Sequence, residues 1–355
     1  MEELAILKDI FFVILYGGVT MLDAVAALYL LLRRANAIAP EVTSPVRLRR
    51  WAALFLIALA LSHIFWILFA LDPSPIKYLT VCGLDILLYI PTIAGILLSM
   101  LQDRLRPSWP VLVAMVPVIL MVAVGIIRKD DGVQNPLFYY VLFLLVLLML
   151  YMCLSVQRYG RWLKDNYADL EHKEIRLSFL ILAVFLLFFL LYSSTSEAPF
   201  HLYLLQIDNI LIVVLLLWRV ESLQQLSDTP VQKTSAQQGI PSSIGPLLKT
   251  HCEDAQLYLQ HDLTVSHLAQ IIGTNRYYLS QYFAQQGITY NAYINGLRIR
   301  HFVRLYHEAV DNHRIVTAQQ LAHESGFHSY STFSATFKQN MGTTVTAWMR
   351  SVTAE

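Results

Sequence analysis

The fold of the C-terminal part of the chain is decided by two stretches, LAQIIGTNRYYLSQYF at residues 268–283 and LAHESGFHSYSTFSATF at residues 321–337. Each stretch has an alanine and, four residues later, a glycine, followed by two large apolar residues that are four apart. The small alanine lets two helices cross closely, and the glycine permits the left-handed backbone of a tight turn. The apolar pair falls on one face of the second helix. Each stretch therefore predicts a helix-turn-helix unit.

The residues around the two units predict where their helices begin and end. Thr264 is expected to cap the first helix, and Thr274 is expected to cap the recognition helix that ends near Gln285. The second unit is expected to start near Thr317, with its recognition helix over residues 329–340.

A longer helix is predicted between the two units, over about residues 290–310, because apolar residues recur there at helical spacing. A helix of about 20 residues is roughly 30 Å long, and one turn of B-DNA is roughly 34 Å. This linking helix can therefore hold two recognition helices in successive major grooves. The pattern predicts a domain whose partner is double-stranded DNA.

The rest of the chain indicates a membrane protein. Of its 355 residues, 56% are hydrophobic and 14% are charged, with a mean hydropathy of +0.51. Long apolar runs are concentrated between residues 10 and 219, and seven of them are long enough to cross a bilayer. These runs lie at about 10–32, 51–71, 78–101, 110–127, 137–157, 177–192 and 201–219. The predicted fold is all-α: a seven-helix transmembrane bundle followed by an all-helical double helix-turn-helix domain.

The expected domain boundaries follow from changes in composition. Residues 1–221 are predicted to form the membrane domain, with the N-terminus outside, and residues 246–355 the DNA-binding domain. Residues 222–245 are rich in Gln, Ser, Gly and Pro, which is the composition of a flexible linker.

Basic residues predict the orientation in the membrane. Twelve Lys and Arg lie in the predicted loops 33–50, 102–109 and 158–176, against four on the opposite side. Lys and Arg favour the cytoplasmic side, so the N-terminus is expected outside. After seven crossings the C-terminal domain reaches the cytoplasm, where the DNA is.

Ionisable residues within the predicted spans are candidates for a binding site. Asp23, His63, Asp85 and Asp208 lie at membrane depth, where charge is costly and faces the bundle interior. His63, Asp85, Asp208 and Asn209 are proposed to line an outward-opening ligand pocket. The alternative is that these groups hydrogen-bond one another or lie near the membrane interface. The sequence does not identify the signal, a small molecule or a protein, that such a pocket would receive.

The C-terminal segment resembles the AraC/XylS-type transcriptional regulators. The match covers about 100 of the 355 residues. The residues that carry the resemblance are Leu268-Ala269-x-x-x-Gly273-Thr274-Asn275-Arg276-Tyr277-Tyr278-Leu279-Ser280-x-x-Phe283, Tyr293-Ile294-Asn295-x-Leu297-Arg298-Ile299, Gly326-Phe327-x-Ser329-x-Ser331-x-Phe333-x-x-x-Phe337-Lys338 and Gly342-x-Thr344-x-x-x-Trp348. The resemblance implies a transcriptional regulator. We therefore expect a multi-pass protein of the bacterial cytoplasmic (inner) membrane, with the lipid bilayer as a second partner.

The resemblance also implies which residues contact DNA. They lie on the exposed faces of the two recognition helices: Arg276, Tyr277, Ser280 and Gln281 in the first, and Ser329, Tyr330, Ser331 and Lys338 in the second. Gln281 can pair bidentately with adenine, whereas Tyr and Ser contact phosphates or base edges. Arg276 and Lys338 are expected to contact phosphates.

Three positions depart from the pattern of the family. Ala335 stands where the family often has Arg, which removes a charged contact from the second unit. Val345 stands in place of the usual Pro, and Phe302 in place of a small residue in the linking helix. We expect the last two to alter packing only.

The charge balance predicts modest affinity for a single copy. Residues 246–355 hold eight Lys and Arg against seven Asp and Glu. Affinity from phosphate contacts grows with the number of basic residues, and two tethered copies raise the effective concentration. A homodimer is therefore expected.

Other classes of function find little support in the sequence. The three cysteines Cys82, Cys153 and Cys252 have no metal-binding or redox spacing. Neither a His-Glu-x-x-His helix nor a Gly-x-Ser-x-Gly elbow occurs, so no enzymatic activity, metal or cofactor is expected. The leading hypothesis is a membrane-tethered, sequence-specific regulator whose membrane domain senses a signal. The alternative is a membrane transporter or a scaffold that carries a regulatory or degenerate helix-turn-helix domain.

Overall fold

The computed structural model describes residues 9–33, 35–40, 42–129, 132–177, 179–180, 200–226 and 244–354. Within these residues the regular secondary structure is helical, with one isolated β-bridge between Tyr167 and Thr264. The predicted all-α class is confirmed. The chain divides into two compact units: Met1–Tyr159 with His172–Leu226 (unit 1), and Gly160–Glu171 with Ser227–Glu355 (unit 2).

Unit 1 contains the apolar helices. They are α1 (Ile10–Leu32), α2 (Val46–Leu71), α3 (Pro75–Met100), α4 (Trp109–Ala114), α5 (Val116–Arg128), α6 (Gln134–Asn166, whose last residues belong to unit 2) and α7 (Phe200–Ser222). Counting α4 and α5 as one stretch, six helices of the described residues are long and apolar enough to cross a membrane. The predicted span at 177–192 falls largely outside the described residues, and so does most of the predicted linker. The total of seven spans therefore stays a prediction.

Buried polar groups join α1, α2 and α7 at one end of unit 1. The Glu221 carboxylate accepts hydrogen bonds from the backbone amides of Ala37 and Ile38, at 3.0 and 2.9 Å. The Asn36 amide donates to the Glu221 carbonyl at 2.9 Å, and the Asn36 side-chain oxygen accepts from Arg49 at 2.9 Å. Buried polar groups need such partners, so the network fixes these helices relative to one another.

Unit 2 contains both predicted helix-turn-helix units. Its elements are α8 (Ile244–Leu248), a π-helical turn (Lys249–Asp254), a 3-10 turn (Leu257–Leu259), α9 (Val265–Ile271), α10 (Arg276–Gln285), α11 (Tyr290–Asp311), α12 (Ala318–Glu324), α13 (Tyr330–Met341) and α14 (Val345–Ala354). The side chains of Thr264 and Thr317 accept hydrogen bonds from backbone amides three residues later, at 3.2 and 3.1 Å. The predicted cap at Thr264 is therefore confirmed, and the second unit begins at Thr317, close to the expected start.

The predicted cap at Thr274 is wrong. The backbone amide of Thr274 donates to the Ala269 carbonyl at 2.8 Å, which places Thr274 in the turn. Asn275 is the cap instead, because its side-chain oxygen accepts from the Tyr278 amide at 3.0 Å. Thr and Asn are both good N-caps, so the geometry of the turn decides between neighbours.

Helix α11 contributes to two separate hydrophobic cores. Ile294 and Leu297 pack with the first helix-turn-helix unit, whereas Ile299 and Phe302 pack with the second. The ring centroids of Phe302 and Phe333 are 4.5 Å apart. Phe302 is fully buried and Val345 is buried in the same core, so both departures from the family pattern are accommodated by packing.

Arg298 connects the two halves of unit 2 from the middle of α11. Its side chain is 1% exposed and donates hydrogen bonds to the carbonyls of Tyr258 and Gln260, at 2.8 and 2.6 Å. The guanidinium also lies 5.6 Å from the ring centroid of Phe327, at the turn of the second unit. Burial lowers the pKa of Arg298 to about 10. The side chain therefore remains cationic at neutral pH and satisfies carbonyls that would otherwise be buried without donors.

Candidate nucleic-acid interface

The first recognition helix, α10, is held by its apolar side. Leu279 and Phe283 are buried, as the spacing predicted. Tyr277 is 63% exposed, and Ser280 and Gln281 are partly exposed. These three residues are three and four apart, so they share one face of the helix. The face carries a phenol, a hydroxyl and an amide, each of which can hydrogen-bond to bases or phosphates.

Arg276 also belongs to this set, but it is not free in solvent. Its guanidinium carbon lies 5.8 Å from the ring centroid of Trp162. Burial lowers the pKa of Arg276, and the nearby Tyr167 and Asp165 oppose this shift. No local pattern indicated that the first residue of α10 contacts a segment more than 100 positions earlier in the chain.

The second recognition helix, α13, is capped by Ser329. The Ser329 hydroxyl accepts from the Thr332 amide at 3.3 Å and lies 3.1 Å from the Ser331 hydroxyl. Ser329 therefore caps α13 and is also a predicted DNA contact. Tyr330, Ser331 and Lys338 are exposed, with Lys338 in the last turn of the helix.

Ala335 lies between Ser331 and Lys338 on the exposed side of α13. The three positions are spaced by four and three residues, so they follow one face of the helix. The middle of that face carries a methyl group where an arginine would reach a phosphate. The second helix therefore offers one cation to a phosphate backbone, at its C-terminal end.

Both turns use glycine in a left-handed conformation. Gly273 has φ +73° and Gly326 has φ +88°. A Cβ at Gly326 would lie 2.8 Å from the backbone of Leu259, whereas a Cβ at Gly273 would meet nothing within 4 Å. The second turn therefore needs glycine for space as well as for conformation.

A histidine in the centre of unit 2 is held neutral. His301 is buried, and its Nδ1 lies 2.9 Å from the Tyr258 hydroxyl and 3.1 Å from the Arg304 guanidinium. Both groups donate, so Nδ1 accepts and the proton is on Nε2. The pKa of His301 is lowered by burial and, secondly, by Arg304.

In unit 1, three of the proposed pocket residues have partners. His63 Nδ1 is 3.6 Å from the Asp23 carboxylate, and the Asn209 amide donates to the same carboxylate at 3.3 Å. Asp85 accepts a hydrogen bond from the Trp66 indole at 2.7 Å. His63 and Asn209 are thus brought together around Asp23, which was not among the proposed pocket residues.

The remaining proposed residue, Asp208, is buried, and its Oδ2 has no hydrogen-bond partner. One carboxylate oxygen of Asp23 and the side-chain oxygen of Asn209 are likewise buried without a hydrogen-bond partner. Across the part of the chain that the structure describes, no group of three His, Cys, Asp or Glu has the arrangement of a metal site. The cluster therefore presents acceptor oxygens without a metal-binding geometry.

The geometry of unit 2 agrees with a comparison against protein families. Residues 268–351 match a family model described as a helix-turn-helix domain. Curated proteins and solved structures give no match to the chain. The matched range covers both helix-turn-helix units and the helix that joins them. This domain is of the AraC type, and six apolar helices precede it among the residues that the structure describes, which fits an AraC-type regulator with a membrane domain.

Proposed function

We propose that this DNA-binding regulator is tethered to the membrane and reads a specific sequence as two half-elements about one helical turn apart. The observation that carries the proposal is the pair of capped recognition helices, α10 and α13, on the two cores of α11. Helix α11 has 22 residues, which corresponds to roughly 33 Å. That length is close to the 34–36 Å of one DNA turn.

The proposed DNA contacts differ in whether they bind bases or phosphates. Gln281 pairs with adenine in the major groove, with Tyr277 and Ser280 beside it. In the second half-element, Tyr330 and Ser331 contact base edges or phosphates, and Ser329 presents the N-terminus of α13 to a phosphate. Arg276 and Lys338 contact phosphates. Since Ala335 offers no cation, the second helix contributes less affinity than the first.

The membrane domain holds the reader at the inner face of a bacterial cytoplasmic membrane and receives the signal. Basic loops support this orientation, with the N-terminus outside and the domain at 246–355 in the cytoplasm. The cluster of Asp23, His63 and Asn209 supports a polar signal that binds inside the bundle, because buried acceptors without partners are costly. A homodimer compensates for the modest charge of one DNA-binding domain.

The test is a selection of sheared genomic DNA with the full-length protein in lipid nanodiscs. The Gln281→Ala and Tyr277→Ala variants are compared with Gln270→Ala, which changes an exposed glutamine of α9. We expect wild type and Gln270→Ala to enrich discrete sites with two half-elements, and the other two variants to lose them. Diffuse, salt-sensitive binding that ignores both substitutions would favour a scaffold with a degenerate domain.

Sensing is tested separately with a transcriptional reporter that carries a selected site. Asp23→Asn and Asp208→Asn are expected to change reporter output, because each alters the buried acceptors of the membrane domain. Asp72→Asn is the control, since this carboxylate is exposed and pairs with Lys77. Reporter output that is equal in all three variants and wild type would contradict sensing through the buried acceptors of the membrane domain.

A further inference from the structure

Residues 160–171, here called the docked segment, belong to unit 2 although they lie far from it in sequence. The Ala168 side chain is 1% exposed within the first hydrophobic core. The Ala168 carbonyl accepts hydrogen bonds from the side-chain amides of Asn291 and Asn295, at 2.6 and 3.2 Å. Its backbone amide donates to the Leu263 carbonyl at 3.4 Å. The segment is therefore anchored to the DNA-binding domain by backbone bonds and by burial.

The docked segment also covers part of the first recognition helix. Trp162 stacks near the Arg276 guanidinium, at 5.8 Å from the ring centroid. Asp165 lines a cavity of about 320 Å³ together with Tyr277, Ser280 and Gln281. Arg276 therefore contacts the docked segment, and the other three proposed DNA contacts of α10 share a cavity with its Asp165.

The far end of the segment reaches the second recognition helix. The Thr332 hydroxyl donates to the Glu171 carboxylate at 3.4 Å, in the first turn of α13. Asp165 and Glu171 thus place carboxylates beside the N-terminal parts of α10 and α13. Helix N-termini and arginines are also the groups that bind phosphate.

DNA and the docked segment make incompatible demands on these groups. A guanidinium held beside the Trp162 ring is less free to reach a phosphate. A carboxylate at the wall of the cavity that Gln281 also lines repels a phosphate backbone that approaches Gln281. We infer that the docked segment is an autoinhibitory element that competes with DNA for the first recognition helix. This inference rests on the proposed function.

The competition offers a route for regulation. In the sequence the docked segment directly follows the apolar part of α6. Anything that withdraws residues 160–171 from unit 2 releases Arg276 from Trp162 and removes the Asp165 carboxylate from the cavity that Tyr277, Ser280 and Gln281 line. The apparent affinity for DNA is the intrinsic affinity reduced by the fraction of molecules in which the helix is uncovered. A weakened segment therefore increases affinity without any new contact to DNA.

The first test follows hydrogen exchange in the full-length protein in nanodiscs, with and without a labelled 40-base-pair duplex of random sequence. We expect DNA to slow exchange in α10 and to accelerate exchange at residues 160–171. Bound DNA with an equally protected segment would overturn the inference and leave the proposed function intact. This readout needs no substitution, so it does not depend on the folding of a variant.

The second test measures binding of the same duplex at fixed salt to Asp165→Asn and Trp162→Ala. We expect roughly five- to tenfold tighter binding, since a cation–π contact and a carboxylate near the first recognition helix each contribute modestly. Asp311→Asn is the matched control, because it removes an exposed carboxylate at the end of α11. Asp165→Asn that binds no more tightly than Asp311→Asn would contradict autoinhibition.

The two proposals fail in different ways. If neither wild type nor Asp165→Asn and Trp162→Ala bind the duplex, the DNA-binding function itself is overturned together with the inference. If wild type fails to bind and both variants bind, autoinhibition is supported in its strongest form. If all bind equally, only autoinhibition is lost.

Discussion

Gly326 and Leu259 approach so closely that a side chain on the glycine would lie 2.8 Å from the Leu259 backbone. The contact joins the turn of the second helix-turn-helix unit to the 3-10 turn that precedes the first. It connects the two halves of unit 2 away from α11, in addition to the contact that the Arg298 guanidinium of α11 makes with Phe327.

Gly326→Ala is expected to destabilise unit 2 more than Gly273→Ala. A left-handed alanine costs about 1–2 kcal/mol at either turn, and overpacking against Leu259 adds about 1–3 kcal/mol at Gly326 alone. Hydrogen exchange of α11 amides in the full-length protein gives the free energy of local unfolding for each variant. An equal loss of unfolding free energy in the two variants would show that the backbone of Leu259 moves away from the new side chain without cost.

Arg298→Leu is expected to lower the free energy of unfolding of unit 2 by several kcal/mol. The substitution leaves the carbonyls of Tyr258 and Gln260 without their donors, at a cost of about 1–3 kcal/mol each. Arg300→Leu, at an exposed position two residues later, is the control and should be nearly neutral. Hydrogen exchange of the α11 amides gives the free energy of unfolding for both variants. A loss in the control as large as in Arg298→Leu would contradict a special role for the buried guanidinium.

The stability of unit 2 is expected to fall in acid because of His301. Its pKa lies below the ordinary value of 6.5, so the unfolded chain takes up the proton more readily than the folded one. The contribution of His301 is therefore fully favourable above about pH 6.5 and is lost as the pH falls from there towards the lowered pKa. The measurement is the pH dependence of α11 exchange in the full-length protein.

His301→Gln should flatten that dependence, because glutamine stays neutral. His267→Gln, at an exposed position, should leave the slope unchanged. The slope is the readout, since loss of the Tyr258 hydrogen bond also shifts the absolute stability. A slope that is equal in wild type and His301→Gln would assign the acid sensitivity to other groups.

The orientation in the membrane predicts which positions an impermeant maleimide reaches in intact cells. In a background without the three native cysteines, Pro73→Cys should be labelled from outside. Leu105→Cys and Ile315→Cys, both highly exposed, should be labelled only after the membrane is permeabilised. Labelling of Ile315→Cys in intact cells would show that the DNA-binding domain lies outside the cytoplasm, and it would contradict the count of seven spans.

Local patterns predicted most of unit 2, because its helices are specified by nearby residues. Thr264 and Thr317 cap their helices by bonds that span three residues, and Gly273 and Gly326 turn the chain where the repeat indicated. The Thr274 error has the same origin: two good capping residues are adjacent, and only the turn distinguishes them. The DNA-contact assignments of Gln281 and its neighbours stay predictions.

Long-range contacts could not be predicted in this way. Asn291 and Ala168 are 123 positions apart, and residues around Ala168 have neither a repeat nor a periodic pattern that would indicate a partner. Asp23 was recognised as a costly buried charge, but its position between His63 and Asn209 depends on how three helices pack. Such contacts are consequences of tertiary structure rather than of local preference.

Helix α11 has a further consequence, since Leu297 and Ile299 are separated by one residue yet face different cores. One residue inserted between them would rotate everything downstream by about 100° and advance it by about 1.5 Å. In the proposed complex, the second recognition helix would then point away from the major groove that follows the one occupied by the first. If the two recognition helices read half-elements as proposed, the spacing of those half-elements is recorded in the protein as a count of residues in a single helix. A change in the length of α11 would then have to be matched by a change in the spacing of the half-elements.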